Sequence, residues 1–210
     1  MQIYWFKAQA PLRVLALAKH LGIEAETIEV DMMAGGLRSD SYAALNAHAK
    51  APTLVDHGNV IWESAAIMAY LCVRVGSDMW PAHNPNEQVE VLRWLTWSEG
   101  HWSPAVAPWY FEYVVKPTFG IGAPDPAALA RAPEALHRFA PTLEARLREQ
   151  PWVACGRLTI ADFHLASMAR YWEDTGTPLE TYPAIVAWLE RLAEIPAWSD
   201  PWPPSRYALR

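Results

Sequence analysis

Glu63 and Ser64 are a neighbouring pair whose types and position suggest binding chemistry. They open the apolar run 65–71, which has the composition of a buried helix. The first backbone N–H groups of a helix lack partners within it, so a carboxylate and a hydroxyl at this place can satisfy them as a cap. The same N–H groups can instead bind the carboxylate of a ligand. These two residues therefore predict either a capped helix or an anion-binding helix end.

The segment before this helix predicts a loop and a hairpin that position it. Pro52 directly precedes the β-type run 53–55, and a proline that enters a strand lacks the ladder N–H and keeps Ala51 out of helix. Pro52 is therefore a candidate for a cis peptide bond. The turn cluster 56–59 contains the glycine that a hairpin needs, and 60–62 follows as the return strand.

The chain ahead of this hairpin predicts alternating strands and helices. Residues 2–6 have strand propensity, and Pro11 begins a helical pattern that Gly22 ends. Residues 25–31 alternate as a second strand, and the glycine-containing connection 32–49 is expected to hold a short helical turn. With the hairpin and its helix, the predicted order is β-α-β-α-β-β-α, which mixes parallel and antiparallel strands.

A stretch rich in Gly, Pro and Asn, 76–86, predicts a boundary between two domains, 1–78 and 87–210. Beyond it no segment has a strand pattern, so the second domain is predicted to be all-helical. A long amphipathic helix is expected first, with a kink or restart at two prolines. The predicted helices and the two prolines are 87–101, Pro104, Pro108, 127–149, 159–173 and 181–194.

Composition limits the class of protein. With 210 residues, of which 52% are hydrophobic and 19% charged, the chain can bury a large core. A net charge of −6 without a basic run disfavours nucleic acid as a partner. No apolar stretch approaches about 20 residues and the N-terminus lacks a signal-peptide pattern, so we expect a soluble, cytoplasmic protein without a membrane partner. Cys72 and Cys155 form neither a disulfide framework nor a metal-binding pattern, and we expect no metal.

Thr159 and Asp162 have the spacing of a capping box at the start of a helix. The threonine side chain can accept from the N–H three residues on, while the carboxylate reaches back to the N–H of Thr159. This pair is therefore predicted to be structural rather than catalytic.

The chain resembles the cytosolic glutathione transferase family, in a bacterial form, in two linked motifs: KAPTL at 50–54 and ESAAI at 63–67. The resemblance covers essentially the whole chain and implies an α/β thioredoxin-like N-terminal domain followed by an all-α helical C-terminal domain. It also implies a glutathione site formed by five residues, which are Lys50, Ala51, Pro52, Glu63 and Ser64. Ala51 is implied to pair its backbone with the cysteinyl part of glutathione. Glu63 is implied to meet the γ-glutamyl ammonium, and Ser64 with the helix N–H groups to meet its carboxylate.

The group that activates the thiol of glutathione is where this sequence departs from the family. A free thiol has a pKa near ~8.5, and lowering it by about 2 units needs about 2.7 kcal/mol of preferential stabilisation of the thiolate. The positions at which related classes carry serine or cysteine are Ala8 and Gln9 here, and neither offers a hydroxyl or a thiol. Tyr4 is the nearby phenol, although strand alternation favours a core position for it. Gln9, Lys7 and the N–H groups of the first helix are the alternatives that favour an anion.

An aromatic stretch in the second domain is the expected wall for a second substrate, in a chain with twelve tryptophans. Trp94 and Trp97 are expected to be core packing. The family places the electrophile pocket between the loop after the first strand and the first long helix of the second domain. The residues assigned to this pocket are Phe6, His101, Trp102, Trp109 and Tyr113.

These inferences predict a glutathione transferase that joins the glutathione thiolate to an apolar electrophile, or reduces a peroxide, with glutathione as co-substrate. A small hydrophobic electrophile and a second copy of the chain, in a homodimer, are the expected partners. The missing hydroxyl at Ala8 and Gln9 keeps a second hypothesis open, a non-catalytic glutathione-binding module of the same fold. A glutathione-dependent isomerase is a third hypothesis, although the loop KAQAP lacks the serines expected for that branch.

Overall fold

The structure, a computed structural model, describes residues 1–207, which form two compact units. The first unit consists of Met1–Ser77 together with the residues from Pro196 on, and the second consists of Asp78–Ile195. No helix among the described residues combines the length and the apolar character needed to cross a membrane.

The first unit is built on a four-stranded mixed sheet. Its strands are β1 (Gln2–Trp5), β2 (Glu26–Glu29), β3 (Thr53–Asp56) and β4 (Asn59–Trp62). They lie in the order β2-β1-β3-β4, with β2 parallel to β1 and β3 antiparallel to both of its neighbours. This mixed sheet confirms the expected thioredoxin-like domain.

Helices alternate with these strands in the predicted order. They are α1 (Gln9–His20), α2 (Asp40–Ala43), which follows a 3₁₀ turn at Gly36–Arg38, and α3 (Ser64–Val75). α1 begins two residues before its predicted start near Pro11, because Ala8 already has the extended conformation of an N-cap residue, with φ −156° and ψ 165°. α3 ends at Gly76, whose φ of 68° suits a residue without a Cβ.

Side chains of β1 alternate between the two faces of the sheet, and Tyr4 lies between two core residues in the sequence. Ile3 and Trp5 are 0% and 1% exposed. Tyr4 is half-buried and sets its ring edge-on against that of Tyr42, with centroids 5.8 Å apart. The expected core position of Tyr4 is therefore wrong, since alternation sends its two neighbours to the core and its own side chain to the other face of the sheet.

The second unit contains only helices among its described residues. They are α4 (Pro85–Trp97), α5 (Ser103–Tyr110), α6 (Lys116–Phe119), α7 (Pro126–Leu129), α8 (Ala132–Glu149), α9 (Ile160–Ala169), α10 (Trp172–Thr175) and α11 (Pro183–Ala193), and α12 (Pro196–Ser199) follows in the first unit. This arrangement confirms the predicted all-helical C-terminal domain.

The helical path continues from α4 to α6, so of the predicted kink or restart at Pro104 and Pro108 the restart does not occur. Two π-helical turns, Ser98–Trp102 and Phe111–Val115, join the three helices. A proline removes one i→i−4 hydrogen bond and crowds the carbonyl four residues before it. The carbonyl four residues before Pro104 lies in the first of these wider turns, so the chain accommodates this proline without leaving the helix.

The C-terminal segment 196–207 belongs to the first unit, although the predicted second domain extends to the end of the chain. Trp202 stacks on Trp5 with ring centroids 5.7 Å apart. Lys19 Nζ donates to the Asp200 carboxylate at 2.9 Å. One aromatic and one ionic contact therefore fasten this segment to β1 and α1.

Asp162 lies fully buried near the start of α9, where its carboxylate joins three chain segments. It accepts hydrogen bonds from the backbone N–H groups of Val153 and Thr159, each at 2.8 Å, and from the Trp188 indole at 3.0 Å. The Thr159 hydroxyl donates to it as well, at 3.0 Å. The predicted capping box is present, and the carboxylate is structural. Burial raises the pKa of the Asp162 carboxyl to about 6, although these hydrogen bonds act in the opposite direction.

Asp162→Ala is expected to lower the free energy of unfolding by roughly 3–5 kcal/mol, because it leaves several buried donors without an acceptor. The loss relative to the parent protein is expected to be larger at pH 5 than at pH 7. Because the folded-state pKa lies above the unfolded value, the stability due to this group is fully present below about pH 4 and is lost as the pH rises through about 6. Urea unfolding at the two pH values measures both differences.

Asp125→Ala is the matched control for this prediction. Asp125 is exposed and caps α7 in the same unit through one bond from the Ala127 N–H at 2.9 Å. The loss of such a cap costs about 1 kcal/mol. Equal losses in the two variants would contradict the role given to Asp162.

Candidate functional site

Strand register brings three chain segments to one end of the sheet in the first unit. Thr53 of β3 pairs with Tyr4 of β1 on one side and with Trp62 of β4 on the other. The loop after β1 leads into α1, the chain after Trp62 leads into α3, and Pro52 directly precedes Thr53. The starts of α1 and α3 and the loop at Pro52 therefore lie at the same end of the sheet.

The start of α3 carries two polar residues and no side-chain cap. Glu63 is exposed and has φ 69° and ψ 117°, a positive φ that is uncommon for a residue with a Cβ. Ser64 is 7% exposed, and its hydroxyl forms no hydrogen bond to any residue within 1–207. Backbone strain of this kind concentrates at ligand sites. Both side chains are therefore available to a ligand at a positive helix end.

The loop before β3 presents an unpaired stretch of backbone. The peptide bond between Ala51 and Pro52 is cis, as the sequence suggests. Pro52 is buried, Ala51 is half-buried and the Lys50 side chain is exposed. The N–H and carbonyl of Ala51 form no hydrogen bond to another described residue, which leaves them available to the backbone of a peptide ligand.

Two buried side chains that belong to none of the sequence motifs lie behind this loop. Tyr42 and Asn46 are 4% and 3% exposed. The Tyr42 hydroxyl donates to the Lys50 carbonyl at 2.7 Å, and Asn46 Nδ2 donates to the same oxygen at 2.9 Å. The sequence feature that could have indicated these two residues is their four-residue spacing, which places them on one face of a helical turn. That spacing does not reveal which loop they contact.

The start of α1 offers an anion-favouring helix end without a hydroxyl or a thiol. Ala8 is the N-cap residue and supplies no side-chain bond, and the first turn contains no acidic residue. Gln9 is half-buried, and its side-chain amide forms no hydrogen bond to a described residue. The Tyr4 hydroxyl lies 3.5 Å from the Gln2 amide oxygen. The helix dipole and the Gln9 amide are thus the groups at this end that favour a negative charge.

Two of the tryptophans assigned to an electrophile pocket are core residues instead. Trp102 is 0% exposed, and its indole N–H donates to the Leu165 carbonyl at 3.0 Å. Trp109 is 5% exposed. Their burial within the second unit corrects their assignment to a pocket wall, because a buried ring offers no face to a substrate. Trp94 is 7% exposed, which confirms its expected core position.

The remaining pocket candidates have accessible side chains. His101 and Tyr113 are exposed in the second unit, and Phe6 is half-buried in the first. His101 stacks on Phe139 with ring centroids 4.8 Å apart. The assignment of these three residues to an electrophile pocket stays a prediction.

Cys155 is held as a thiol at neutral pH. Burial raises the pKa of the Cys155 thiol to about 11, and the carboxylates of Glu90 and Glu87 act in the same direction. Cys72 is buried within α3. Among residues 1–207 no group of three or more His, Cys, Asp or Glu side chains is arranged to hold a metal ion.

Comparisons with known proteins identify the family. Residues 2–72 match the family described as glutathione S-transferase, N-terminal domain, and residues 103–196 match the glutathione S-transferase C-terminal domain. The chain is 30% identical to glutathione S-transferase 3 of Zea mays over 212 residues, which cover 94% of this chain and 93% of that protein. The chain belongs to the glutathione S-transferase family. This membership, together with the nature of its relatives, makes it a glutathione transferase enzyme.

Two further similarities support this membership of the glutathione S-transferase family. Glutathione S-transferase D7 of Anopheles gambiae is 34% identical over 193 residues, which cover 90% of this chain and 84% of that protein. The theta class glutathione S-transferase from the citrus canker pathogen Xanthomonas axonopodis pv. citri, solved with glutathione bound, superimposes with a TM-score of 0.84. It is 28% identical, and the superposition covers 94% of each chain.

Ala49→Gly is expected to raise the free energy of unfolding of this transferase by roughly 0.5–1 kcal/mol. Ala49 precedes the Pro52 loop and has a φ of 51°, which lies in the left-handed region. A residue with a Cβ in the left-handed region costs about 1–2 kcal/mol, which exceeds the roughly 0.5–1 kcal/mol entropy cost of a glycine. Urea unfolding measures the change.

Ala44→Gly serves as the comparison, because Ala44 lies close by at the end of α2 with φ −66° and ψ −27°. A glycine at a helical position destabilises by roughly 0.5–1 kcal/mol. A loss of stability in Ala49→Gly, equal to that in Ala44→Gly, would show that the loop does not hold Ala49 in a strained conformation.

Proposed function

We propose that this glutathione S-transferase joins the thiolate of glutathione to a small apolar electrophile, with glutathione as its co-substrate. The observation that carries this proposal is the common position of the Pro52 loop and the starts of α1 and α3 at one end of the sheet. Each of these segments offers polar groups that the described residues leave unused.

The γ-glutamyl end of glutathione is a zwitterion, and Glu63 and Ser64 match its two charges. The exposed Glu63 carboxylate would accept hydrogen bonds from the ammonium group. The Ser64 hydroxyl and the N–H groups at the start of α3 would donate to the carboxylate. The free N–H and carbonyl of Ala51 would pair with the cysteinyl residue, and the exposed Lys50 ammonium would attract the remaining carboxylate of the peptide.

The start of α1 would stabilise the sulfur as a thiolate. A pKa lowered by about 2 units corresponds to about 2.7 kcal/mol. A helix N-terminus contributes about 0.3–1 kcal/mol to a nearby anion, and a hydrogen bond from the Gln9 amide to a charged sulfur contributes roughly 1.5–3 kcal/mol. The two together reach the required magnitude without a hydroxyl at Ala8. The thiol first gives its proton to solvent. The thiolate then forms a bond from sulfur to the electrophilic carbon. In a substitution the leaving group departs with its bonding electrons; in an addition the π bond of the electrophile breaks and the product takes up a proton from solvent.

Glu63→Gln is expected to raise the dissociation constant for glutathione roughly tenfold. The substitution keeps the shape of the side chain and removes one partner of a charge-assisted bond, which is worth about 1.5–3 kcal/mol. Calorimetric titration with glutathione measures the affinity.

Glu24→Gln is the control, since Glu24 is also an exposed glutamate of the first unit. It removes the same charge and should leave the dissociation constant unchanged. An unchanged constant in Glu63→Gln, in a variant that melts like the parent protein, would remove Glu63 from the site.

Ala8→Ser is expected to lower the pKa of the bound glutathione thiol by roughly 0.7–1.5 units, because a hydroxyl bond to a thiolate is charge-assisted and adds ~1–2 kcal/mol. Gln9→Ala is expected to raise the same pKa. The ultraviolet absorbance of the thiolate, followed as a function of pH in the complex with glutathione, reports both shifts. A thiolate band that is absent from the parent complex at neutral pH would favour the passive glutathione-binding module over the enzyme.

A further inference from the structure

We infer that Tyr42 and Asn46 are positioning residues that fix the backbone of Ala51 for its pairing with the cysteinyl part of glutathione. The inference rests on the proposed glutathione site, to which neither residue is assigned above. Both act through the loop rather than by touching the substrate.

The two side chains bind the loop on both sides of the cis peptide bond. Before it, the Lys50 carbonyl accepts from the Tyr42 hydroxyl at 2.7 Å and from Asn46 Nδ2 at 2.9 Å. After it, Thr53 Oγ1 lies 2.9 Å from the Tyr42 hydroxyl and 3.1 Å from Asn46 Nδ2. The backbone of Ala51 and Pro52 is therefore held between the Lys50 carbonyl and the Thr53 hydroxyl, each of which forms two hydrogen bonds.

Burial protects the hydrogen bonds of Tyr42 and Asn46 and so keeps the loop ordered. Tyr42, Asn46 and Thr53 are 4%, 3% and 0% exposed, so water does not compete readily for their hydrogen bonds. The side-chain oxygen Oδ1 of Asn46 also accepts from the His48 N–H at 3.0 Å, so both ends of the side-chain amide are hydrogen-bonded. A loop that is ordered before the ligand arrives avoids the entropy cost of ordering it during binding.

Ala51 itself is left free within this rigid frame. Its backbone N–H and carbonyl have no hydrogen-bond partner among residues 1–207, although the residue is half-buried. An unpaired backbone N–H and carbonyl next to the start of a strand are available to pair with an extended peptide ligand. The hydrogen bonds from Tyr42 and Asn46 satisfy the Lys50 carbonyl and the Thr53 hydroxyl. The N–H and carbonyl of Ala51 remain available to the ligand.

The test compares two tyrosines that bond to opposite ends of the same strand. Tyr42→Phe removes the phenol that reaches Thr53 at the start of β3, and Tyr70→Phe removes the phenol that donates to Asp56 at its end, at 2.8 Å. Melting temperature and calorimetric affinity for glutathione are measured for the parent and both variants. Both variants should melt at a lower temperature, and Tyr42→Phe alone should raise the dissociation constant, by roughly five- to tenfold.

Thr53→Val provides a second route to the same result if Tyr42→Phe folds poorly. It keeps the volume of the side chain and removes the oxygen that Tyr42 and Asn46 share, so it should also weaken glutathione binding several-fold. Amide hydrogen exchange of residues 49–53 in the free protein should be faster in Tyr42→Phe than in Tyr70→Phe.

The outcomes separate this inference from the proposed function. A parent protein that binds glutathione, with an unchanged dissociation constant in Tyr42→Phe and Thr53→Val, overturns the positioning role and leaves the proposed function intact. A parent protein that does not bind glutathione overturns the proposed function and the positioning role together. Equal weakening of binding by Tyr42→Phe and Tyr70→Phe would show a general effect of stability, which also overturns the positioning role.

Discussion

The pairing of β3 with both β1 and β4 is the constraint on which the candidate site depends. Thr53 lies between Tyr4 and Trp62, and this alignment alone places the Pro52 loop beside the starts of two helices. Side chains alternate between the faces of a strand, so a slip of one residue would exchange the faces of Leu54 and its neighbours and disrupt the core. The register that buries Leu54 at 0% exposure is thus the same register that assembles the site.

Each unit also contains a buried aspartate, and the two have opposite environments. Asp56 accepts from the Tyr70 hydroxyl at 2.8 Å, and Arg74 Nε lies 3.4 Å from the same carboxylate. The Tyr70 hydrogen bond, with the positive charges of His57, Arg74 and the N-terminus, holds the pKa of Asp56 below its ordinary value. Asp162 receives only neutral donors, so burial dominates there and raises its pKa to about 6. The two contributions to stability therefore depend on pH in opposite directions. The stability due to Asp56 is lost as the pH falls through its lowered pKa, and the stability due to Asp162 is lost as the pH rises through about 6.

Local patterns in the sequence predict the strands, turns and helix caps well. The features that the sequence does not predict depend on contacts between residues that are distant in the chain. The proline before a β-type run, the glycine turn and the Thr159–Asp162 spacing each act over a few residues, and the structure contains the features that they predict. The placement of Trp102 depends on which side of a helix meets α9, which spacing does not determine. The hydrogen bond between Tyr42 and Thr53 joins residues eleven positions apart. It forms only when the fold brings the two side chains together, so no local pattern predicts it. The homodimer, the cytoplasmic location and the electrophile stay predictions.

The attachment of 196–207 to the first unit has a consequence for how the protein is made. Trp202 contacts Trp5, and Asp200 contacts Lys19. The first unit is thus assembled from two segments that lie before and after the second unit in the sequence. The second unit is one uninterrupted segment, and all of its residues leave the ribosome before the last part of the first unit does. Domains commonly complete in order from the N-terminus during synthesis. The first unit can therefore be complete only after the second unit has been synthesised, when segment 196–207 brings Trp202 onto Trp5.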